Sequence, residues 1–420
     1  MGPLPIGITA DDLTGAADTA AALARPGRPV TVSLGPAPRR PVGGPAFAVT
    51  TNSRACPANE VYRLAAASVA GLRDAGAGLI YVKVDSNLRG DVGAALAAAR
   101  DVLGGLILFA PAFPARGRTT VDGVALVNRV PVAETEMAYD PEAPVTSSEV
   151  IELLRGPRAD LEIALCDLST VRAGAEAIRS ALPDHGVLAL DAETDSDLDS
   201  IAEAALALSP LPVMAGSAGL AAALARRLFG PPAHLDWPTT RAGPVLSVLA
   251  SSSEVLTSQV AAAAGSGDVA SVPFLCRDLT WEDQPVPELR RAIEAAGAGL
   301  TAGRHVVVYA TGPLPAVARP VALVVEHLAH LAFVVVKEAR PGGLLVGGGA
   351  TAQAVLEALG AEAVEVDEEP LPGIAAGLIV GGELDGHPIA LKPGAAGGEQ
   401  AVVQLLDYLG RRAGAVEAGR

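Results

Sequence analysis

The chain has 420 residues, enough for two domains, and half of them are hydrophobic, so a large core is available. A net charge of −16 argues against nucleic acid or an anionic membrane surface as a partner, although a few clustered cations can still dominate the field around a small anionic substrate. Aromatic residues make up only 3%, so the core must be built from Ala, Val and Leu, and the 46 Gly and 33 Pro imply the many tight turns of an alternating α/β fold.

Cys56, Cys166 and Cys276 are far apart and odd in number, with no CxxC, which argues against a disulfide framework or a thiolate zinc site. The N-terminus lacks a basic region followed by an apolar core, and no uncharged apolar run is long enough to span a bilayer. A cytoplasmic protein with no membrane partner is the expectation, and a homo-oligomer stays open.

In chain order, the first strand is predicted at Pro5–Thr9, running into Ala10, Asp11 and Asp12, with Thr14 and Gly15 opening a helix. Strands follow at Val30–Leu34 and Phe47–Thr51, the latter entering Asn52, Ser53 and Arg54, then a helix over Ala58–Ala75. The stretch Leu79–Gly93, LIYVKVDSNLRGDVG, reads as a buried strand that turns abruptly polar at Lys83, Asp85, Ser86, Asn87 and Arg89 before a helix from about Asp91. Gly105–Ala110 is the next strand, and the Pro/Gly/Arg segment PAFPARGRTTVDG after it is expected to be irregular. Helix and strand patterns then alternate to Val213–Ala215, GSAGLA and a helix ending at Phe229. Gly230–Gly243 has three prolines and no periodicity, which makes it the linker between domains 1–230 and 244–420. The α/β pattern then restarts. Val245–Leu249 leads into Ala250–Ser253, His305–Ala310 into Thr311–Gly312 and a helix to His330, and Leu344–Val346 into GGGAT and a helix over Thr351–Leu359. Short strands at Ile374–Val380 and Pro388–Leu391 precede KPGAAGG and a last helix from Glu399, with a frayed tail from Arg411.

In an open α/β sheet, ligands bind beyond the carboxyl ends of the strands, which is where the polar loops of this chain fall. Asp11, Asp12 and Thr14 are more than one helix cap requires, so one carboxylate is left to accept a substrate hydroxyl or act as general base. Arg54, Lys83, Arg89 and Arg118 can grip a carboxylate; any one arginine alone would read as a solvated surface residue. Gly347–Thr351 can bring backbone N–H groups against phosphate oxygens, but it is neither a dinucleotide fingerprint nor a Walker loop. His327 and His330 share a helix face and have no third ligand.

Together these segments resemble the four-carbon acid sugar kinase family, whose members look like ADDLTGA near the start, then KxDSxLRGxxG, APAFPxxGRTTxxG and GSxGLA. Here these stand at Ala10–Ala16, Lys83–Gly93, Ala110–Gly123 and Gly216–Ala221, with looser matches to a serine-rich turn, a GGxTA turn and a KxG loop at Ser251–Ser253, Gly348–Ala352 and Lys392–Gly394. The chain departs from the family pattern at Asn87, Ala250, Ala350 and Pro393. The resemblance implies two α/β domains with mainly parallel sheets and an active site in the cleft between them: an N-terminal sugar-acid domain, a C-terminal nucleotide domain, and ATP-dependent phosphorylation of an acid such as threonate, erythronate or 3-oxo-tetronate. It implies that Asp11, Arg54, Lys83, Ser86, Asn87, Arg89 and Arg118 bind substrate. Asp12 is then the first choice of general base and Asp85 the second. Ser251, Ser253, Gly348, Gly349, Ala350, Thr351 and Gly394 would hold ATP, with Mg²⁺ arriving on the nucleotide rather than in a protein cage. The rivals are an acid-sugar sensor without turnover and a nucleotide-dependent oxidoreductase.

Overall fold

The computed structural model describes residues 5–25, 27–36, 38, 44–155, 161–230, 243–250, 253–277, 279–280, 287–394 and 396–418, with side chains to 413. The chain divides into two compact units, Met1–Ala233 and His234–Arg420. Most of the expected linker, together with Ser251, lies outside the described residues.

Unit 1 runs β1 (Ile6–Ala10), α1 (Leu13–Leu23), β2 (Val30–Ser33), β3 (Ala46–Thr50), α2 (Ala58–Asp74), β4 (Leu79–Lys83), α3 (Val92–Leu103) and β5 (Leu106–Ala110). It continues with β6 (Arg118–Val121), β7 (Val124–Val127), β8 (Val130–Pro131), α4 (Val150–Arg155), β9 (Ile163–Cys166), α5 (Leu168–Arg172) and α6 (Ala175–Ser180). It ends with β10 (Gly186–Leu190), α7 (Asp195–Leu206), β11 (Val213–Gly216) and α8 (Ala218–Phe229). The strands order β2-β3-β1-β4-β11-β5-β10-β9, and all their pairings are parallel. A parallel sheet is covered on both faces, which is why β1, β3 and β4 are buried at every position. In α2 the buried residues Val61, Ala65, Ser68, Val69 and Leu72 fall at helical spacing on one face, with Glu60, Arg63 and Arg73 outside it.

The segment after β5 is not irregular as expected. Pro114–Arg116 is a 3₁₀ turn, and β6 and β7 form an antiparallel hairpin that β8 extends. Its turn is Asp122-Gly123, with φ of 52° and 77°, the backbone that a two-residue hairpin turn of this hand needs. The Asp-Gly pair carried that signal in the sequence.

Unit 2 runs β12 (Val245–Leu249), α9 (Glu254–Ala264), β13 (Val269–Leu275), α10 (Pro287–Thr301), β14 (His305–Thr311), α11 (Pro320–Ala339), β15 (Gly343–Gly347) and α12 (Gly349–Ala358). β16 (Ala363–Leu371), β17 (Ile374–Val380), β18 (Pro388–Lys392) and α13 (Ala401–Ala418) complete it. The order is β13-β14-β12-β15-β18-β17-β16, parallel as far as β18 and antiparallel beyond. The strands β13 and β16 were not anticipated; both mix charged or polar residues with apolar ones. α11 is long and apolar enough to cross a bilayer by length and composition, with a mean hydropathy of 1.6, yet it carries Glu326, Lys337 and Glu338 and buries Leu323, Leu328, Leu331 and Val335 in the unit. The tail does not fray at Arg411. α13 continues to Ala418, because Leu405, Leu409 and Ala413 carry its apolar face onward and the Arg412 guanidinium, 1% exposed, donates to Asp367 and to Tyr408 Oη.

Candidate functional site

Each unit has its own polar cluster, and both lie where the chain changes direction across the sheet. In unit 1, the chain leaves β1 for β2 and β3 on one side and then reaches β4 on the other, so the loops after β1 and β4 diverge and leave a crevice at their carboxyl ends.

Into that crevice β1 delivers Asp11 and Asp12. Asp12 is the N-cap of α1: its Oδ1 accepts from Gly15 N at 2.9 Å, and its Oδ2 accepts from Thr14 Oγ1 at 2.6 Å. The expectation that Thr14 and Gly15 open the helix is therefore corrected: Asp12 is the cap, and Thr14 lies inside the helix and serves Asp12 instead. The loop after β3 supplies Arg54, whose Nε and Nη2 donate to Asp11 at 2.7 and 2.9 Å while Nη2 also donates to Asp12 at 2.7 Å. After β4, Asp85 accepts from Arg89 at 2.8 and 3.3 Å, and Arg89 reaches Asp140 at 3.1 Å. Asn87 Oδ1 accepts from Arg118 Nε at 3.2 Å, and Ser86 stands half-buried beside them.

Burial raises the Asp12 and Asp85 carboxyls, but Arg54, Arg89 and Lys83 outweigh it. Asp12 is held below its ordinary range and Asp85 well below it, so both are anionic. Burial opposes the Arg54 charge too, and Asp11 and Asp12 hold it firmly in place. Lys83 differs from the arginines. It is 6% exposed, and among the described residues its Nζ has no hydrogen bond and no carboxylate within 4.0 Å, although Asp12, Asp18 and Asp85 all feel its charge. Two loop residues here, Asn52 and Leu88, hold left-handed backbone at φ of 47° and 59°, and a bulky buried leucine takes that conformation only under constraint. Gly90, at φ 82°, packs so closely that a Cβ would meet the Arg54 carbonyl at 3.2 Å. A cavity lined by Asp11, Ser53, Arg54, Lys83 and Arg89 adjoins Val82 and Val92.

The sequence reading missed Asp18 and Asp140. Asp18 is buried on α1, 3.6 Å from Arg116, and burial pushes its carboxyl up against the pull of Arg116 and Lys83. A lone acid in an otherwise Ala-rich helix, one turn after Thr14, was the signal for it. Asp140 had none: only folding brings its loop to Arg89. Gly216 and Gly219 of GSAGLA have a packing role, since a Cβ on them would meet the Ala110 and Ala112 carbonyls at 2.2 and 2.7 Å.

In unit 2 the same change of direction falls between β12 and β15. Gly348 caps α12 at φ 98° with no side-chain cap, which leaves the first-turn N–H groups of that helix for an anion. Gly349 and the exposed Ala350 open the helix, and Thr351 is buried behind Gly348, whose Cβ would lie 3.5 Å from the threonine hydroxyl. Gly348 N donates to Lys392 O at 3.0 Å, joining this turn to the loop after β18. Ser253 caps α9 and reaches Gly394 O at 3.4 Å. Lys392, fully buried, donates to the Pro393 and Gly394 carbonyls at 3.2 and 2.9 Å, and burial lowers its ammonium to about 8.

An acid-and-cation crevice in one α/β unit and a glycine-lined helix start in the other define a two-part binding protein for small polar molecules. Residues 6–224 match the sugar-binding N-terminal domain and residues 246–402 the nucleotide-binding C-terminal domain, and the chain belongs to the family that joins them. It is 32% identical to a D-threonate kinase of Salmonella typhimurium over 96% of this chain and 97% of that one. It is 34% identical to a D-threonate kinase of Bordetella bronchiseptica (98% and 99%), and 31% identical to a D-erythronate kinase of Heliobacterium modesticaldum (96% and 96%). A solved Haemophilus influenzae protein shares the fold with a TM-score of 0.69 at 22% identity, over 96% of this chain and 98% of that one.

Proposed function

We propose that this protein is a kinase that transfers the γ-phosphoryl group of ATP to a hydroxyl of a four-carbon acid sugar such as threonate, erythronate or 3-oxo-tetronate. The observation that carries the reading is Lys83: a buried side chain whose ammonium has no hydrogen bond among the described residues, held beside ionised Asp12 and Asp85 in the sugar-binding unit. An ammonium that lines the cavity with its donors unused can give them to an arriving anion. The relatives' activities on D-threonate and D-erythronate support a carboxylate as that anion.

In this reading Lys83 and Arg118 receive the substrate carboxylate, with Asn87 fixing the arginine and Ser86 within the same loop for a hydroxyl. Arg54 and Arg89 act mainly by holding Asp11, Asp12 and Asp85 ionised and aimed. Asp12 orients the attacking hydroxyl and takes its proton, with Asp85 as the second choice. A loose phosphoryl-transfer transition state asks more for orientation and charge neutralisation than for a strong base, so a carboxylate of lowered basicity suits the task. In unit 2, the α12 N-terminus, Gly348, Gly349, Ala350, Thr351, Ser253 and Gly394 hold the nucleotide; Ser251 lies outside the described residues. Mg²⁺ would arrive on the ATP phosphates and neutralise charge there.

The test is ADP release from ATP·Mg²⁺ on addition of D-threonate, D-erythronate or 3-oxo-tetronate, followed by identification of the phosphorylated product. Binding of an acid and of ATP without ADP release from any of them would overturn the kinase reading in favour of a sensor.

A further inference from the structure

The loop after β18 has an internal support that its sequence does not advertise. Gln259, on α9, is 0% exposed, and its Nε2 lies 3.0 Å from each of three successive carbonyl oxygens, those of Ala396, Gly397 and Gly398. Among the described residues its Oε1 is buried with no hydrogen-bond partner, so there the side chain serves these carbonyls alone. The opposite amide orientation would set four oxygens together.

A trans peptide points its C=O and the next residue's N–H in opposite directions. With those three carbonyls drawn inward to Gln259, the N–H groups of Gly397, Gly398 and Glu399 face away from it, and none of them donates to any acceptor among the described residues. They stand directly before α13, which starts at Ala401. Gly397 is obligatory here: its φ is 84°, and a Cβ would lie 2.5 Å from that of Ala401. Lys392 and Ser253 hold the preceding carbonyls in the same manner.

We propose that Gln259 is a positioning residue for ATP: by gathering the carbonyls of residues 396–398 it aims three consecutive backbone N–H groups at a nucleotide phosphate. This rests on the reading of unit 2 as the nucleotide-binding part. It adds a second phosphate contact to the α12 N-terminus, made by backbone alone and governed by a side chain that touches no ligand.

The experiment is calorimetric titration of the full-length protein with ATP and, separately, adenosine, beside steady-state KM values for ATP and the acid sugar. Gln259→Glu keeps the size but turns an acceptor toward three carbonyls. Glu399→Pro deletes one of the three N–H groups at an exposed turn, where Ala401 N already bonds Gly398 O. Since it also removes a negative charge, any loss of ATP affinity is not a charge effect. We expect Gln259→Glu to weaken ATP about 10- to 100-fold and Glu399→Pro several-fold, as for loss of charge-assisted hydrogen bonds, with adenosine affinity and the KM of the acid within about twofold of wild type. Should Gln259→Glu fail to fold, Glu399→Pro decides. Unchanged ATP affinity in Glu399→Pro, or equal losses for ATP and adenosine, overturns the proposal while leaving the nucleotide reading intact. No ATP binding by the wild type overturns both.

Discussion

Replacing Lys83 by methionine should preserve the fold and remove most of the affinity for the acid substrate. The ammonium is 6% exposed and makes no hydrogen bond within the described protein, so its removal orphans no partner atom. Its charge helps to hold Asp12 and Asp85 ionised, so the melt should fall modestly, and by less than on loss of a directly bonded arginine. The larger cost falls on the ligand: a charged hydrogen bond to the substrate carboxylate is worth about 1.5–3 kcal/mol, so the KM for the acid should rise about 10- to 150-fold. Arg54→Met is the contrast. That guanidinium makes three contacts to Asp11 and Asp12 at 2.7–2.9 Å, and breaking such a partly buried pair costs about 3 kcal/mol or more. For a unit of this size that corresponds to a fall of roughly 6–12 °C in Tm. The assays are thermal melts and acid-sugar saturation kinetics on both variants. A Lys83→Met protein that melts several degrees lower with an unchanged KM would make the lysine a structural ion and refute the reasoning.

Asp12→Asn should lower kcat by about 10²- to 10⁴-fold in the ADP-release assay. Asn caps a helix as well as Asp does, so α1 keeps its start, but the amide faces Arg54 or Thr14 with a donor and the melt should fall modestly; near-wild-type kcat would promote Asp85. Gly348→Ala forces a side chain onto φ 98° and should weaken ATP while sparing the KM of the acid, as nucleotide titration would show. Lys392 sets a pH dependence. Burial lowers its ammonium to about 8 in the folded protein, against 10.5 for a free lysine. Between those values the unfolded chain binds the extra proton, so stability rises with pH. Wild type should therefore gain on Lys392→Met from pH 8 to about 10.5 in denaturant titrations, and a flat difference would contradict the burial of a charged lysine.

The strands were legible wherever both faces of the sheet are covered, because IGITA, AFAVT and LIYVK are mostly apolar and do not alternate with polar residues. The strands β13 and β16 escaped notice for the opposite reason, their polar positions imitating loop. The motif loops named from the sequence do meet in unit 1, yet pairing could not be read from them. The sequence presents Arg54 and Arg89 as cations for a ligand; folding gives each of them two carboxylates, while Lys83 has no carboxylate within 4.0 Å among the described residues. Asp140 and Gln259 were invisible in principle, since each matters through a contact with a loop remote in sequence.

The strand order of unit 1 bears on how its charges assemble as the chain folds. β1 pairs with β3 on one side and β4 on the other, and Arg54 directly follows β3. β3 is nearer to β1 in sequence than β4 is, so Arg54 can bridge Asp11 and Asp12 as soon as the parallel strands β1 and β3 meet, before the longer closure of β4. One guanidinium leaves a net negative charge on the two acids, and Lys83 docks beside them on β4. Because the arginine has taken the close contacts first, the lysine arrives with no hydrogen bond of its own among the described residues, and the route of the chain leaves its donors for a ligand.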